Sequence, residues 1–203
     1  MGFKTSDNGV NFLKSQEGCV LTAYKLPGET YYTIGYGHYG ADVYEGMTIT
    51  EQQAEDLLRS DLSARFEPAV NNIAVSKFPN MNQNQFDALI SYTYNRGEGA
   101  SDGSNGLRQL IYNSSTLNEV SVNFVVYWGS AELYKDALIE RRKREQALFN
   151  SGVSPDPDEP DEPDEPDYPP YVPPAKKRKG FNFVLLNRNR RLLNAKKRTF
   201  RGY

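Results

Sequence analysis

This 203-residue chain has one cysteine, one histidine and one tryptophan. The single thiol, Cys19, has no partner for an internal disulfide, so folding does not require an oxidising compartment. Its place two residues after Glu17 predicts a small buried filler rather than a nucleophile. One imidazole, His38, cannot make a zinc site without several further ligands. No metal and no cofactor are implied. The amino terminus lacks a long apolar run, and the expectation is a chain with neither signal peptide nor transmembrane helix.

The near-neutral formal charge of −2 hides a strongly segregated chain: −5 over residues 1–154, −8 over 155–174 and +11 over the remainder. Residues 1–152 have the aliphatic and aromatic content of a globular domain long enough to bury a core. Residues 153–174 do not. There, prolines alternate with Asp and Glu in a short DEP repeat, which removes backbone donors and sets like charges against one another. The pattern predicts a disordered, extended linker reaching roughly 60 Å at about 3.1 Å per residue. Residues 175–203 form a basic tail with apolar clusters at Phe181, Phe183–Leu186, Leu192, Leu193 and Phe200. Such interleaving suits an anionic polymer, a membrane face or a nucleic acid, and equally a solvated tail folded back on its own acidic linker.

The most informative stretch runs from Glu17 to His38, EGCVLTAYKLPGETYYTIGYGH. Val10, Leu13, Lys14 and Glu17 recur at helical spacing behind Ser6 or Asp7 as cap, and Gly18 lets the chain leave the helix. Val20 to Tyr24 and Tyr31 to Tyr36 read as short strands joined at Pro27-Gly28. A helix therefore delivers Glu17 against a small sheet that carries Thr33. A carboxyl group there, covered by Tyr and Ile side chains, has its ionised form disfavoured by desolvation, and a protonated carboxylic acid is what a glycosidic leaving oxygen needs. A Glu followed by Gly at a helix end is also, in many proteins, a solvated residue beside a cap.

Downstream the pattern is helical. Thr50 caps Glu51 to Phe66, with Pro68 following the stop, and Asn82 caps Gln83 to Asn95 with Phe86, Leu89, Ile90 and Thr93 inward. Further helices are expected over Gly106–Tyr112, Leu117–Tyr127 and Asp136–Asn150, with Trp128 as an apolar anchor for the last of them.

Glu17-Gly18, Ala23-Tyr24-Lys25 and Tyr32-Thr33-Ile34-Gly35-Tyr36-Gly37-His38 resemble the signature of the phage-type lysozymes, the glycoside hydrolase family of phage endolysins. The likeness continues through Ile49-Thr50, Gln53-Ala54, Leu57-Leu58 and Asp61-Leu62. It extends to Gln85-Phe86-Asp87-Ala88-Leu89, Tyr94-Asn95-Arg96-Gly97, Arg141-Arg142 and Glu145-Gln146-Ala147-Leu148-Phe149, spanning about residues 5 to 150 in the family's order. The resemblance implies an α+β, lysozyme-like fold in which a small β-hairpin lobe packs on a mainly helical lobe, with the glycan in the cleft between them. It implies hydrolysis of the β-1,4 bond between N-acetylmuramic acid and N-acetylglucosamine of peptidoglycan, with Glu17 as the catalytic acid and Thr33 positioning water.

Where the family carries an Asp shortly after Ala-Tyr-Lys, this chain has Leu26. Glu29, in the turn four residues before Thr33, is the first choice for a second carboxylate. Asp42, just after the hairpin, is the second choice, and it also suits hydrogen bonding to the turn around Gly40. A third possibility is that Thr33 and water suffice. Tyr31, Tyr36, His38, Asn95 and Arg96 are candidates for substrate contact by their nearness to the motifs. His38 is expected to order the hairpin and Glu17 through hydrogen bonds rather than to transfer protons.

The expected function is that of a monomeric endolysin for host lysis. It would accumulate in the host cytoplasm and depend on a separate holin-type membrane protein, with residues 176–201 contacting an anionic wall polymer. Three rivals stand beside it: a lytic transglycosylase, favoured by the missing Asp; a virion-associated muramidase for entry; and a catalytically dead wall-binding protein acting through its cationic tail.

Overall fold

The computed structural model describes residues 2–99, 103, 105–129 and 131–152; the expected linker and basic tail lie outside these. Chain order is helix α1 (Asp7–Gln16), strands β1 (Val20–Tyr24), β2 (Tyr32–Gly35) and β3 (His38–Gly40), then helices α2 (Glu51–Asp61), α3 (Glu67–Val70), α4 (Gln83–Arg96), α5 (Gly106–Tyr112), α6 (Leu117–Val126) and α7 (Lys135–Asn150). The architecture is the expected α+β one, a small antiparallel sheet set against a mainly helical body.

Ser6, not Asp7, caps α1, its hydroxyl accepting from Gly9 N at 3.1 Å. The cap is itself held from α4. The buried Asp87 carboxylate accepts from the Ser6 hydroxyl, from Ser6 N at 3.1 Å and from Gln83 Nε2 at 3.0 Å. Gly9 is required here, because a Cβ would come within 2.5 Å of the Asp87 carboxyl carbon. The N-terminus of α1 is therefore tied to the central helix before its apolar face, Val10 and Leu13, is buried.

The sheet has the order β1-β2-β3, with Tyr24 opposite Thr33 and Thr33 opposite Tyr39, so Thr33 lies on the middle strand. Pro27-Gly28 turns as expected, with Gly28 at φ +84°. The Gly-Tyr-Gly motif makes a second hairpin. Gly35 and Gly37 adopt φ +63° and +111°, which side chains rarely tolerate, and Gly37 N closes the turn on Ile34 O.

Thr50 and Asn82 each form a reciprocal capping box, with Gln53 and Gln85 respectively. Pro68 does not stop the helix that begins at Glu51. Five-residue π-helical segments, Leu62–Phe66 and Asn71–Val75, flank α3, and the Glu67 N–H reaches back to Leu62 O. The widened turn places the ring at the start of a fresh α-helical segment, where its missing donor is tolerated.

Helix α4 is buried on all sides from Gln85 to Asn95, beyond the single inward stripe that the periodicity predicts. Phe3 stacks on Phe86 at 5.2 Å, Phe66 meets Tyr94 at 4.9 Å, and Phe124 packs edge-on against both Tyr92 and Phe149. Trp128 is only half-buried, with Lys135 over its ring at 5.7 Å; the junction of α4, α6 and α7 is filled by Phe124 and Phe149 instead. Among the described residues no helix is long and apolar enough to cross a membrane.

Asp87→Ala is expected to destabilise the fold by about 2–4 kcal/mol, since it leaves the α1 cap and Gln83 without their buried acceptor. Urea denaturation followed by circular dichroism measures this loss.

Candidate active site

Glu17 is the residue at which α1 ends. Its N–H still bonds Leu13 O at 3.1 Å, while its own backbone is extended, φ −109° and ψ 148°. That change of direction aims the side chain away from solvent, and the carboxyl is buried against α7. Arg141 Nη1 lies 2.8 Å from Glu17 Oε1, and Oε2 has no hydrogen-bond partner among the described residues. Burial raises the Glu17 pKa, and the Arg141 charge opposes that without reversing it. The direction agrees with the sequence expectation, but the environment is polar and charged as well as apolar.

Arg141 belongs to a larger buried group. Its Nε is 3.0 Å from Glu145 Oε1, Arg142 Nε is 2.9 Å from Glu145 Oε2, and Ser91 of α4 donates to Glu145 at 2.8 Å. Arg142 also donates to Asn95 Oδ1 at 2.9 Å and lies over the Tyr92 ring at 4.8 Å. Burial pushes the Arg142 pKa down to about 10, which leaves it cationic at neutral pH. These residues were not singled out as site residues from the sequence, although a signal exists. The inward stripe of α7 runs from Leu138 to Phe149 through Arg141, Arg142 and Glu145, charges where a core helix needs apolar side chains.

Thr33 is fully buried on β2, and its Oγ1 has no hydrogen-bond partner among the described residues. Glu17 and Thr33 thus each carry a buried oxygen without a hydrogen-bond partner among the described residues, a property most buried polar groups lack. Glu29 is 8% exposed while Gly28 and Thr30 on either side are exposed, so its side chain folds inward from the turn. Its Oε2 accepts from Leu26 N at 3.0 Å. With Glu29 N donating to Leu26 O at 3.1 Å, the carboxylate closes the turn onto the backbone of residue 26.

Asp42 takes a different role. Its Oδ2 is 2.9 Å from His38 Nε2, it is largely exposed, and the ion pair lowers its pKa. His38 Nδ1 lies 3.0 Å from both carboxylate oxygens of Asp61, at the end of α2. With a carboxylate on each ring nitrogen, the imidazole is held protonated, its pKa raised to about 9. His38 orders the hairpin as expected, but its bonds go to Asp61 and Asp42 rather than to Glu17.

Among the proposed substrate contacts, Tyr31 is exposed on the hairpin, edge-on to Tyr39 at 5.4 Å. Tyr36 is buried in the core with Lys14 at 5.8 Å over its ring, and its carbonyl accepts from Tyr94 OH at 2.8 Å. Its side chain is therefore committed to packing. Asn95 is buried and bound to Arg142, while Arg96 is half-buried at the end of α4. Cys19 is exposed, contrary to expectation: the chain leaving α1 turns Glu17 inward and Cys19 two residues later outward.

Because His38 has a higher pKa folded than unfolded, its contribution to stability is complete below about pH 6.5 and is lost as pH rises through about 9. Urea midpoints measured from pH 6 to 9.5 are expected to fall across that window in the wild type and to stay flat there in His38→Gln.

A family model described as phage lysozyme matches residues 14–145. The chain is 45% identical over 149 residues to the endolysin of Bacillus phage PZA, a match covering 73% of this chain and 55% of that protein. It thus spans little more than half the length of that relative. Against the endolysin of Salmonella phage P22 it is 39% identical over 154 residues, covering 72% of this chain and 97% of the relative. Its fold is similar to a crystal structure of a P22 lysozyme mutant, with a TM-score of 0.59 and 37% identity over 73% of this chain and 99% of the other. It is also similar to the muramidase domain of SpmX from Asticaccaulis excentricus, with a TM-score of 0.54 and 32% identity over 72% and 97% of the two chains. With the family model covering most of its length and a relative aligned almost end to end, the chain belongs to the phage lysozyme family.

Proposed function

We propose that the chain is a muramidase that hydrolyses the β-1,4 bond between N-acetylmuramic acid and N-acetylglucosamine of peptidoglycan, and that it acts as an endolysin in host lysis. The observation that carries this reading is the buried Glu17 carboxyl, tethered by one oxygen to Arg141 at 2.8 Å, with no hydrogen bond to the other oxygen among the described residues. Burial raises its pKa, the direction that a proton donor to the glycosidic oxygen needs. As that bond breaks, positive charge develops on the sugar and Glu17 becomes an anion, which Arg141 stabilises where it forms.

The attacking water needs an acceptor and a fixed position. Thr33 Oγ1, buried and without a hydrogen-bond partner among the described residues, suits the second task. Glu29 suits the first, because its carboxylate is folded inward in the turn leading to β2, where it is buried and bonded to Leu26 N. Asp42 is bound to His38 and faces solvent, so it serves the hairpin. Tyr31 and Arg96 remain the substrate contacts favoured by their placement. In this reading the enzyme accumulates as a monomer in the host cytoplasm, reaches the wall through a separate holin-type protein, and uses the basic residues 176–201 to hold an anionic wall polymer.

One alternative retains Glu17 but replaces water with the muramic acid 6-hydroxyl, giving a lytic transglycosylase; Leu26 favours it. Mass spectrometry of digested peptidoglycan separates the two. Reducing muramic acid ends are expected from the wild type, with a loss of about a thousandfold in Glu17→Gln. Anhydromuramyl ends would establish the transglycosylase, and full activity in Glu17→Gln would remove the acid assignment. Glu29→Gln is expected to lose at least about tenfold in kcat, and Asp42→Asn to stay within about twofold of wild type. The reverse ranking would exchange their roles.

A further inference from the structure

Two charged residues of the buried group, Arg142 and Glu145, have no place in the mechanism above, yet both are fully buried. Charges are costly to bury, and they persist only where each is compensated. Here the compensation forms a chain: Glu17 to Arg141 at 2.8 Å, Arg141 to Glu145 at 3.0 Å, Glu145 to Arg142 at 2.9 Å. With Glu17 ionised the four charges cancel; with Glu17 protonated one positive charge is left over. The protonation of Glu17 therefore depends on how much of the Arg141 charge the far end of the chain absorbs.

The geometry makes the two outer members act with opposite signs. Glu145 engages Arg141 through Nε, on the same guanidinium that holds Glu17, and adds its own repulsion. Both effects favour the proton on Glu17. Arg142 neutralises Glu145 and adds a positive charge, so it disfavours that proton. We propose that Glu145 and Arg142 are positioning residues that set the protonation of Glu17 through Arg141, Glu145 retaining the proton and Arg142 releasing it.

The remaining charged neighbours do not supply this control. On α7, Arg144 donates to Gln16 Oε1 at 2.9 Å. On α1, Lys14 is paired with Glu55 at 2.6 Å. On α4, Arg96 acts on Tyr92 and on Arg142, while Ser91 and Asn95 are neutral. From the sheet, Thr33 is neutral.

The proposal rests on Glu17 as the acid, whose titration sets the alkaline limb of the kcat profile. Three variants test it by kcat against pH on a soluble peptidoglycan fragment: Glu145→Gln, Arg142→Met, and the two combined. Glu145→Gln is expected to move the limb about one pH unit down, a loss of about tenfold at a fixed pH on the limb. Arg142→Met is expected to move it up. The double variant restores electroneutrality, so it is expected to fold and to return the limb towards the wild-type position from whichever single variant folds; a limb displaced in it as far as in that single variant overturns the proposal. A merely structural role gives lower kcat at every pH with the limb in place. That result overturns the proposal while leaving Glu17 as acid, and so do limbs that move the same way in both single variants. Undiminished activity in Glu17→Gln, run alongside, overturns both.

Discussion

The contact between the Glu17 carboxyl and the Arg141 guanidinium joins the two ends of the domain in sequence, the end of α1 and the inward face of α7, at a point closed to solvent. The Arg141 cation is not stable there without acceptors. Removing one partner of a buried pair typically costs about 3–5 kcal/mol, because the other is left uncompensated. Much of the architecture serves to keep this pair whole. Asp87 fixes the start of α1 so that its last residue arrives at the right height, and Glu145, Ser91 and Arg142 hold the Arg141 guanidinium in place. Helix α4, buried on every side, is the element on which both are assembled.

That arrangement also reconciles two demands on a catalytic acid. Burial alone pushes a carboxyl up and leaves the anion formed during reaction unsupported; an ion pair alone pulls it down and removes the proton beforehand. Sharing Arg141 between Glu17 and Glu145 weakens the second effect without removing the cation. The net direction for Glu17 is upward although a guanidinium lies at hydrogen-bond distance.

The helix caps and the first turn follow their local signals in the sequence. Ser6, Thr50 and Asn82 cap helices, Pro27-Gly28 turns and α1 ends at Glu17, whereas the strand expected to run through Tyr36 ends at Gly35, where Gly35 and Gly37 turn the chain into β3. Misreadings arise where tertiary context overrides a local rule. Pro68 continues a helix because a π-helical turn absorbs its missing donor. Tyr36 points into the core and Cys19 out of it, which depends on how the hairpin sits on the helices. Arg141, Arg142 and Glu145 look like an ordinary charged surface of a helix, and only the shortage of apolar residues between Leu138 and Phe149 marks them as buried. Glu29, proposed as the second carboxylate, stands near Thr33 in sequence, but the bond from Leu26 N that folds its side chain inward requires the fold.

The central claim is that the fold, through burial opposed by a shared guanidinium, keeps a proton on Glu17. Titration of its side-chain carboxyl by carbon-13 nuclear magnetic resonance in the wild-type protein tests this without reference to any substrate. The account predicts a midpoint clearly above the ordinary value of 4.5. A midpoint at or below it means that the ion pair with Arg141 outweighs burial, and Glu17 is then an anion unable to serve as the acid.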